Sequence, residues 1–583
     1  MSDSQSAEIP TETMVPLPAP APLPRFFKAL ARHPWLVLSL LGLLLWLPGV
    51  LSLPALDRDE SRFAQASHQM VESGDLIDIR LGHVPRYKKP VGIYWLQAAS
   101  TAIAGFGQND RIWTYRLPSL LGAISAAWLT AWCAAAFLEA EAALIAGLLM
   151  LSSVLLAAEA TIATTDAVLL ACVLAVQGVL LRIYRAGRDP DASRPSLRLV
   201  FVGWAAVGIG ALIKFPVVPG VAVATVVALI AWDRRVKWLN SINPVRGLLL
   251  ALVVVMPWMI AITIQSRGMF LEQSLGNDFA TKMAGGQESH GAWPGYYLLL
   301  SAATFFPAVL FVLPGLVIGV ARRSEPAVRF LLAWAGSWWL LVEVVPTKLP
   351  HYVLHAYPAL AILAAMLATS QPPAIRWMPW CLATARWSAA LQFLVGAALL
   401  TAALVLLPPR FGEGQILWLL APAAVGATLS LVALILGIRR SYGPATVLSV
   451  LAMLVFVPAL TTGMGPRLSQ LWVTERLKPL VAAARKPDDP PPALAGYQEP
   501  SMLFALGKDV LLTNGAGAAE SGARLGGLAL VEDAEQGKFL ARLAELQADA
   551  SVVGDVSGFN YSRGRKVHVT IYRVAQLRDV SQP

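Results

Sequence analysis

Charge is scarce in this chain. Only 14% of its 583 residues are Asp, Glu, Lys or Arg, where a soluble domain carries about 25%. That deficit, beside 56% hydrophobic residues, excludes an ordinary soluble globule. Cysteine is scarcer still: Cys133, Cys172 and Cys381 each lie in or beside an apolar stretch. None is placed for a disulfide or a thiolate metal site, so they read as small core residues. No Walker-type or dinucleotide-binding glycine loop occurs, which removes the main signature of ATP-driven transport. A basic stripe interleaved with base-stacking aromatics is also missing. The net charge of +10 therefore does not indicate nucleic-acid binding.

Apolar runs of roughly 17 to 25 residues, the length that crosses a bilayer core, are abundant. They fall near 34–56, 112–138, 140–158, 165–184, 197–213, 216–232, 246–264, 295–320, 327–345, 353–369, 385–407, 415–437 and 443–462. Hydropathy thus predicts a polytopic α-helical membrane protein with about thirteen transmembrane helices. Segment 91–106 is shorter and reads as interfacial. Residues 1–24 are rich in Pro, Ser, Ala and acid, with no core-forming pattern, so a disordered tail is expected. Arg25, Lys28 and Arg32 then precede a long run without a small-residue cleavage site, which reads as a retained anchor.

The Lys and Arg distribution orients the spans. With the N-terminus in the cytoplasm, the inner loops collect Arg182, Arg185, Arg188, Arg194 and Arg198, then Arg234, Arg235, Lys237 and Arg246. They also collect Arg322, Arg323, Arg376, Arg386, Arg439 and Arg440, as the positive-inside rule requires. An odd number of spans puts the C-terminal region outside. Residues 463–583 regain Asp and Glu. There Asp509–Thr513 reads as a short buried strand, Lys538–Gln547 as an amphipathic helix and Lys566–Arg573 as an alternating strand. The expected organisation is a tail at 1–24, a membrane domain at 25–462 with a first outer loop at 57–111, and a small extracytoplasmic α/β domain at 463–583.

That first outer loop breaks the positive-inside pattern with Arg58, Arg62, Arg80, Arg86, Lys88, Lys89, Arg111 and Arg116. Cations beside hydrocarbon are costly, so an anionic ligand is the expected reason for them. Asp59 opens an amphipathic helix running to about Glu72, with Phe63, Ala66 and Met70 on one face, and Gly74 ends it. A second helix is expected after Lys89-Pro90, and the two would hold a pocket above the bilayer.

Residues 59–97 resemble the lipid-A aminoarabinose transferases, integral-membrane glycosyltransferases of the GT-C type that are similar to the protein O-mannosyltransferases. The resemblance is carried by Asp59-Glu60, Arg62-Phe63-Ala64, Ser73-Gly74-Asp75 and Lys89-Pro90. It extends to His290 followed by Trp293-Pro294-Gly295-Tyr296-Tyr297, and to Lys348-Leu349-Pro350-His351-Tyr352. It implies transfer of a sugar from a polyprenyl (undecaprenyl) phosphate carrier to a lipid acceptor such as lipid A, in a multi-pass bacterial inner-membrane protein with a periplasmic C-terminal domain. A protein hydroxyl or another glycolipid is the alternative acceptor. A flippase that moves a lipid-linked saccharide without chemistry is the contrasting class; it would place ionisable residues at the membrane midplane, and here they gather at one outer face.

The resemblance places the catalytic acid on Asp59, with Glu60 beside it in a positioning part. Arg58, Arg62, Arg86, Lys88, Lys89 and Lys348 become the candidates for the donor phosphate, since cations stabilise charge developing on a leaving phosphate. Tyr87, Asp166, His351 and Tyr352 are further pocket candidates. Asp166 also suits a helix N-cap, and Lys214 could touch phosphate or snorkel, with snorkelling favoured. In the resembled enzymes a Glu before the Lys-Pro lysine joins a loop His in holding a metal. Here Lys88 occupies that place. An ammonium has no lone pair to give, so His290, near Asp278 and Glu288, is the remaining ligand candidate. A divalent metal stays open, and no other cofactor is implied.

Overall fold

The computed structural model describes residues 25–274, 292–368 and 378–577. The expected tail at 1–24 lies outside the described residues. Among those described, nine helices are long and apolar enough to cross a membrane, and ten if a pair bent by 61° is one span. That pair is Ala140–Leu151 and Val154–Thr161. The thirteen expected from hydropathy is not reached by this measure. Val217–Asp233 and Val309–Ala321 are shorter apolar helices. The run at 295–320 is divided into Tyr296–Thr304 and Val309–Ala321, while 353–369 holds a 3-10 turn, Pro350–Ala356, and a nine-residue helix, Tyr357–Ala365. Hydropathy registers apolar composition but not where the backbone bends.

Two glycines set the spacing of the helices that carry the site. A Cβ on Gly122 of helix Ile112–Ala134 would lie 2.7 Å from the Val168 backbone nitrogen. Only the missing side chain lets this helix touch the start of Asp166–Ala186 so closely. A Cβ on Gly92 would lie 2.8 Å from the Leu212 carbonyl oxygen. That approach brings the segment after Lys88-Lys89 against the end of helix Leu197–Lys214.

The first outer loop folds as its pattern demands. Helix Asp59–Ser73 starts with two acids, which suit the positive end of the helix dipole, and stops at Gly74, which takes a left-handed φ of 71°. Phe63, Ala66 and Met70 are buried. The chain then forms a short hairpin, Arg80–Leu81 with Val84–Pro85, before helix Gly92–Ala104.

The C-terminal region carries a five-stranded sheet in the order 511–513, 493–495, 527–532, 565–574, 550–560. The first three strands are mutually parallel and the last two pairings are antiparallel. Helices Gly515–Leu525 and Asp533–Leu546 connect them. The helix expected at 538–547 is found as Asp533–Leu546 and the strand expected at 566–573 as Arg565–Val574, whereas the strand expected to be buried at 509–513 is Leu511–Thr513 at the sheet edge, with Leu511 and Leu512 exposed. This unit rests on the outer loop. Phe504 packs edge-on against Tyr115 and His68 at 5.6 and 6.2 Å, and Lys508 reaches Glu72 at 3.4 Å.

Candidate active site

The turn from Leu56 to Glu60 is fixed from below by one buried ion pair. The Arg116 Nε donates to Glu60 Oε1 at 2.7 Å and its Nη2 to Oε2 at 2.8 Å. The other Arg116 N–H groups reach the carbonyls of Val50, Leu53 and Pro54 at 3.1, 2.7 and 2.8 Å. These carbonyls belong to the end of helix Pro34–Ser52 and the residues just after it, where backbone acceptors lack intrahelical partners. Glu60 also accepts from the Leu56 and Ala163 amides, both at 2.8 Å. Arg116, grouped by sequence with the exposed loop cations, is instead wholly buried. Glu60 is 2% exposed at its side chain, and its carboxylate is committed to this turn rather than to a reacting group.

From above, the C-terminal unit grips the two residues before Asp59. The Asp57 amide donates to the Tyr561 hydroxyl at 2.6 Å, and the Arg58 guanidinium donates to the Ser562 carbonyl at 2.5 Å. The Ser501 hydroxyl donates to the Asp57 carboxylate. Arg58 is held at a φ of 64°, a region that non-glycine residues seldom adopt. Burial, with Glu499 nearby, pushes the Asp57 carboxyl up to about 6. Ser501, beside Glu499, therefore joins the C-terminal unit to the first outer loop.

Asp59 sits on this fixed turn with 66% of its side chain exposed, facing a cavity of about 390 Å³. The protein around the cavity partly desolvates this open side chain, but Arg62, 3.2 Å away, and Arg86 hold its carboxyl below the ordinary range. Arg58, Arg62, Arg86, Lys88 and Lys89 all line the same cavity. Arg86 lies over the Phe63 ring at 5.5 Å, and its buried Nε has no hydrogen-bond partner among the described residues. Asp166 and His351 complete the far wall with Tyr352. Burial pushes His351 down to about 4, so its imidazole is neutral at neutral pH.

Two candidates are placed elsewhere. Lys348 is buried, and its ammonium donates to the Glu343 carbonyl at 2.5 Å and pairs with the Glu343 carboxylate at 3.4 Å. It serves the end of helix Pro326–Val344, while its neighbours Thr347 and Leu349 face the cavity. Tyr87 is also buried; its hydroxyl donates to Asp78 at 2.8 Å, and its ring packs on Phe270. Neither lines the cavity. Asp166 does not cap its helix. It forms a 2.7 Å ion pair with Lys214, so Lys214 turns into the cavity wall instead of snorkelling. His290 lies outside the described residues, as do Asp278 and Glu288. Among the described residues no group of three or more His, Cys, Asp or Glu side chains is placed to hold a metal.

Sequence reasoning missed Glu159 and Thr164 and favoured snorkelling for Lys214, which like them lines the cavity. Glu159 accepts from the Thr164 hydroxyl at 2.8 Å. An acid alone in the apolar run 154–161 was the available signal, because hydrocarbon does not tolerate an idle carboxylate. A second, apolar cavity of about 390 Å³ adjoins the first and shares Lys88, Lys89, Lys214, Thr347 and Tyr352 with it. Val255, Met256, Met259 and Phe270 line its far end.

A family model described as dolichyl-phosphate-mannose-protein mannosyltransferase matches residues 88–260. An undecaprenyl phosphate-alpha-4-amino-4-deoxy-L-arabinose arabinosyl transferase of Serratia proteamaculans is 27% identical over 343 residues, 58% of each chain. The enzyme of the same name from Edwardsiella ictaluri is 26% identical over 332 residues, 56% of each chain. These alignments span less than two thirds of the relatives' length. The fold extends further. ArnT from Cupriavidus metallidurans, solved bound to undecaprenyl phosphate, matches 96% of this chain and 98% of its own, with a TM-score of 0.69 at 19% identity. The chain shares the fold of that ArnT. In its apo state the same ArnT gives a TM-score of 0.67 over 94% of this chain. The match includes the C-terminal sheet as well as the membrane helices.

Proposed function

We propose that this protein is a glycosyltransferase of the bacterial inner membrane. It moves a sugar from a polyprenyl (undecaprenyl) phosphate carrier to a lipid acceptor such as lipid A. One observation carries the reading. The polar cavity with its exposed carboxylate and the apolar groove share the same three lysines, Lys88, Lys89 and Lys214. A polyprenyl phosphate has that shape: an anionic head at the cations and a hydrocarbon tail in the groove. The names of the Serratia and Edwardsiella relatives and the carrier in the Cupriavidus ArnT structure support the same donor class.

In this reading Asp59 takes the proton from the acceptor hydroxyl as its oxygen attacks the anomeric carbon. The bond from that carbon to the carrier's phosphate oxygen breaks, and the electron pair leaves with the phosphate. Arg62, Arg86, Lys88 and Lys89 stabilise the charge that develops there, Arg through its planar fork. A single displacement inverts the anomeric centre. Arg58, tethered to the C-terminal unit, sets the backbone before Asp59, and Glu60 with Arg116 sets it from below. Lys88 supplies a fixed cation in the place of a metal-ligating Glu, so no step is routed through a metal.

In this reading the N-terminus lies in the cytoplasm, residues 25–462 form the membrane domain and 463–583 form a periplasmic α/β domain above the site. Mass spectrometry of lipid A, other glycolipids and surface proteins, from cells with and without the chain, tests the acceptor. Loss of a glycosyl group from lipid A is expected. Loss confined to surface proteins would move the assignment to a protein hydroxyl, and no loss in any class would overturn the enzyme reading.

A further inference from the structure

Helix Asp166–Ala186 begins in the candidate active site and ends, about 30 Å away at 1.5 Å per residue, beside a second charged cavity. This cavity, about 780 Å³, is lined by Arg188, Arg194, Arg234, Arg235 and Lys237, and by no acid. Arg188 is neutralised by Asp233 at 2.9 Å. Asp233 also holds Arg329 at 2.5 Å and the Tyr184 hydroxyl at 2.5 Å, so it has nothing left for the others. Arg194, Arg234, Arg235 and Lys237 form no ion pair among the described residues. Helix-end cations and membrane orientation explain basic residues at this face. They do not explain why these surround a cavity that is continuous with an apolar groove between helices.

The cavity continues into an apolar groove of about 220 Å³ between helices Asp166–Ala186, Leu197–Lys214 and Val217–Asp233. The two share Ile183 and Val200, and no charged side chain lines the groove. Trp204 closes one side with its indole N–H donated to the Ile242 carbonyl at 2.8 Å, which leaves the groove no unsatisfied donor there. Four uncompensated cations above a dry slot match an anionic head joined to an acyl chain. Basic pockets between membrane helices take lipid heads in this way.

We propose that this crevice is a binding site for an anionic membrane phospholipid, and that the four open cations suit a head with two phosphates, as in cardiolipin, better than a head with one. It lies at the face remote from the transferase pocket and does not depend on the transferase reading.

The test is native mass spectrometry of the full-length protein in detergent, titrated with cardiolipin, phosphatidylglycerol or phosphatidylcholine. One cardiolipin should stay bound under conditions that strip phosphatidylcholine, with phosphatidylglycerol between them. Arg194→Ala/Arg234→Ala should weaken cardiolipin retention roughly tenfold to a hundredfold, since each cation contributes a sizeable part of the attraction. Removing cations can disturb membrane insertion, so Ala222→Phe, which fills the groove and leaves every charge in place, is the second variant and should give a similar loss. Equal retention of cardiolipin and phosphatidylcholine by the wild type would overturn the proposal. So would an unchanged cardiolipin preference in Ala222→Phe, displacement of the lipid by millimolar inorganic phosphate, or tighter binding of polyprenyl phosphate at this crevice.

Discussion

Arg116 and Glu60, 56 residues apart in sequence, share two hydrogen bonds of 2.7 and 2.8 Å, and Arg116 spends its other donors on three backbone carbonyls. All five N–H groups of a guanidinium are thereby used at a residue with no exposed surface. The pair ties the end of the first membrane helix to the turn that presents Asp59.

The consequence is a large and asymmetric mutational effect. Glu60→Ala leaves the buried Arg116 charge unpaired, which costs about 3–5 kcal/mol. Arg116→Met should cost a similar amount and in addition strands the carbonyls of Val50, Leu53 and Pro54. The double change Glu60→Leu/Arg116→Met should recover part of the loss, because no lone charge remains, but not all of it. Thermal unfolding in detergent reads the three variants. A Glu60→Ala protein as stable as the wild type would show that the pair does not hold the turn.

Asp59 carries the chemical prediction. Asp59→Asn keeps the shape and removes the proton acceptor, so transfer should fall by about a hundredfold to ten-thousandfold. Carrier binding should change little, since Arg86, Lys88 and Lys89 remain. Binding is read by polyprenyl phosphate titration and turnover by release of carrier phosphate. Because Arg62 and Arg86 hold the Asp59 carboxyl below the ordinary range, the base form should persist to mildly acidic pH. Near-normal turnover in the Asn variant would remove Asp59 from the mechanism.

Much of this arrangement was legible in the sequence, and the residues that were not share a cause. The loop helix, its Gly74 stop and the cluster Arg58, Arg62, Arg86, Lys88 and Lys89 follow from local pattern, and the structure gathers them in one cavity. Lys348 and Tyr87 lie in equally suggestive motifs, yet a turn of backbone points them at Glu343 and Asp78. Arg116, Glu159 and Lys214 are single charges inside apolar runs. Their partners are set by helix packing at positions such as Gly122 and Gly92, which no local spacing encodes. The count of thirteen spans is not confirmed for a related reason: among the described residues, bends and 3-10 turns interrupt runs that composition joins.

The grip of the C-terminal unit on the loop should depend on pH. The Asp57 carboxyl is raised from 3.8 to about 6 by burial, against the Ser501 and Tyr497 hydrogen bonds and with Glu499 adding to the rise. A carboxyl raised in the folded state favours folding while protonated, so its contribution is full below about pH 4 and is lost as the pH rises through about 6. Hydrogen exchange at Tyr561 and Ser562 should therefore be slower at pH 5 than at pH 8, after correction for intrinsic rates. Asp57→Asn should flatten that difference. Equal protection at both pH values in the wild type would mean that Asp57 does not govern the contact.

Topology offers an independent check on where this contact sits. A reporter fused after Arg573 should register the periplasm, and one inserted near Arg188 the cytoplasm. Both on one side would mean that the C-terminal unit cannot cover the loop pocket as described.

Lys88 separates this chain most sharply from the metal-holding pattern of the enzymes it resembles. A metal that balances phosphate charge contributes several kcal/mol at a developing anion. A chain with an ammonium in place of the metal-binding carboxylate has to recover that from fixed cations. Lys88 lines both the polar cavity and the apolar groove, which is where the proposed function puts the junction of the carrier's phosphate and tail, and Lys89 and Arg86 flank it. Chelators should therefore leave turnover intact, whereas Lys88→Ala should lower it by about tenfold to a thousandfold, the scale of one preorganised charge contact. Lys88→Arg should restore part of the loss, since the charge returns with a different shape. Restoring the carboxylate by Lys88→Glu should not rescue activity in buffer alone. If chelation abolished turnover, a divalent ion restored it and Lys88→Ala were silent, the charge balance would instead rest on a metal held by His290 and the acids near it.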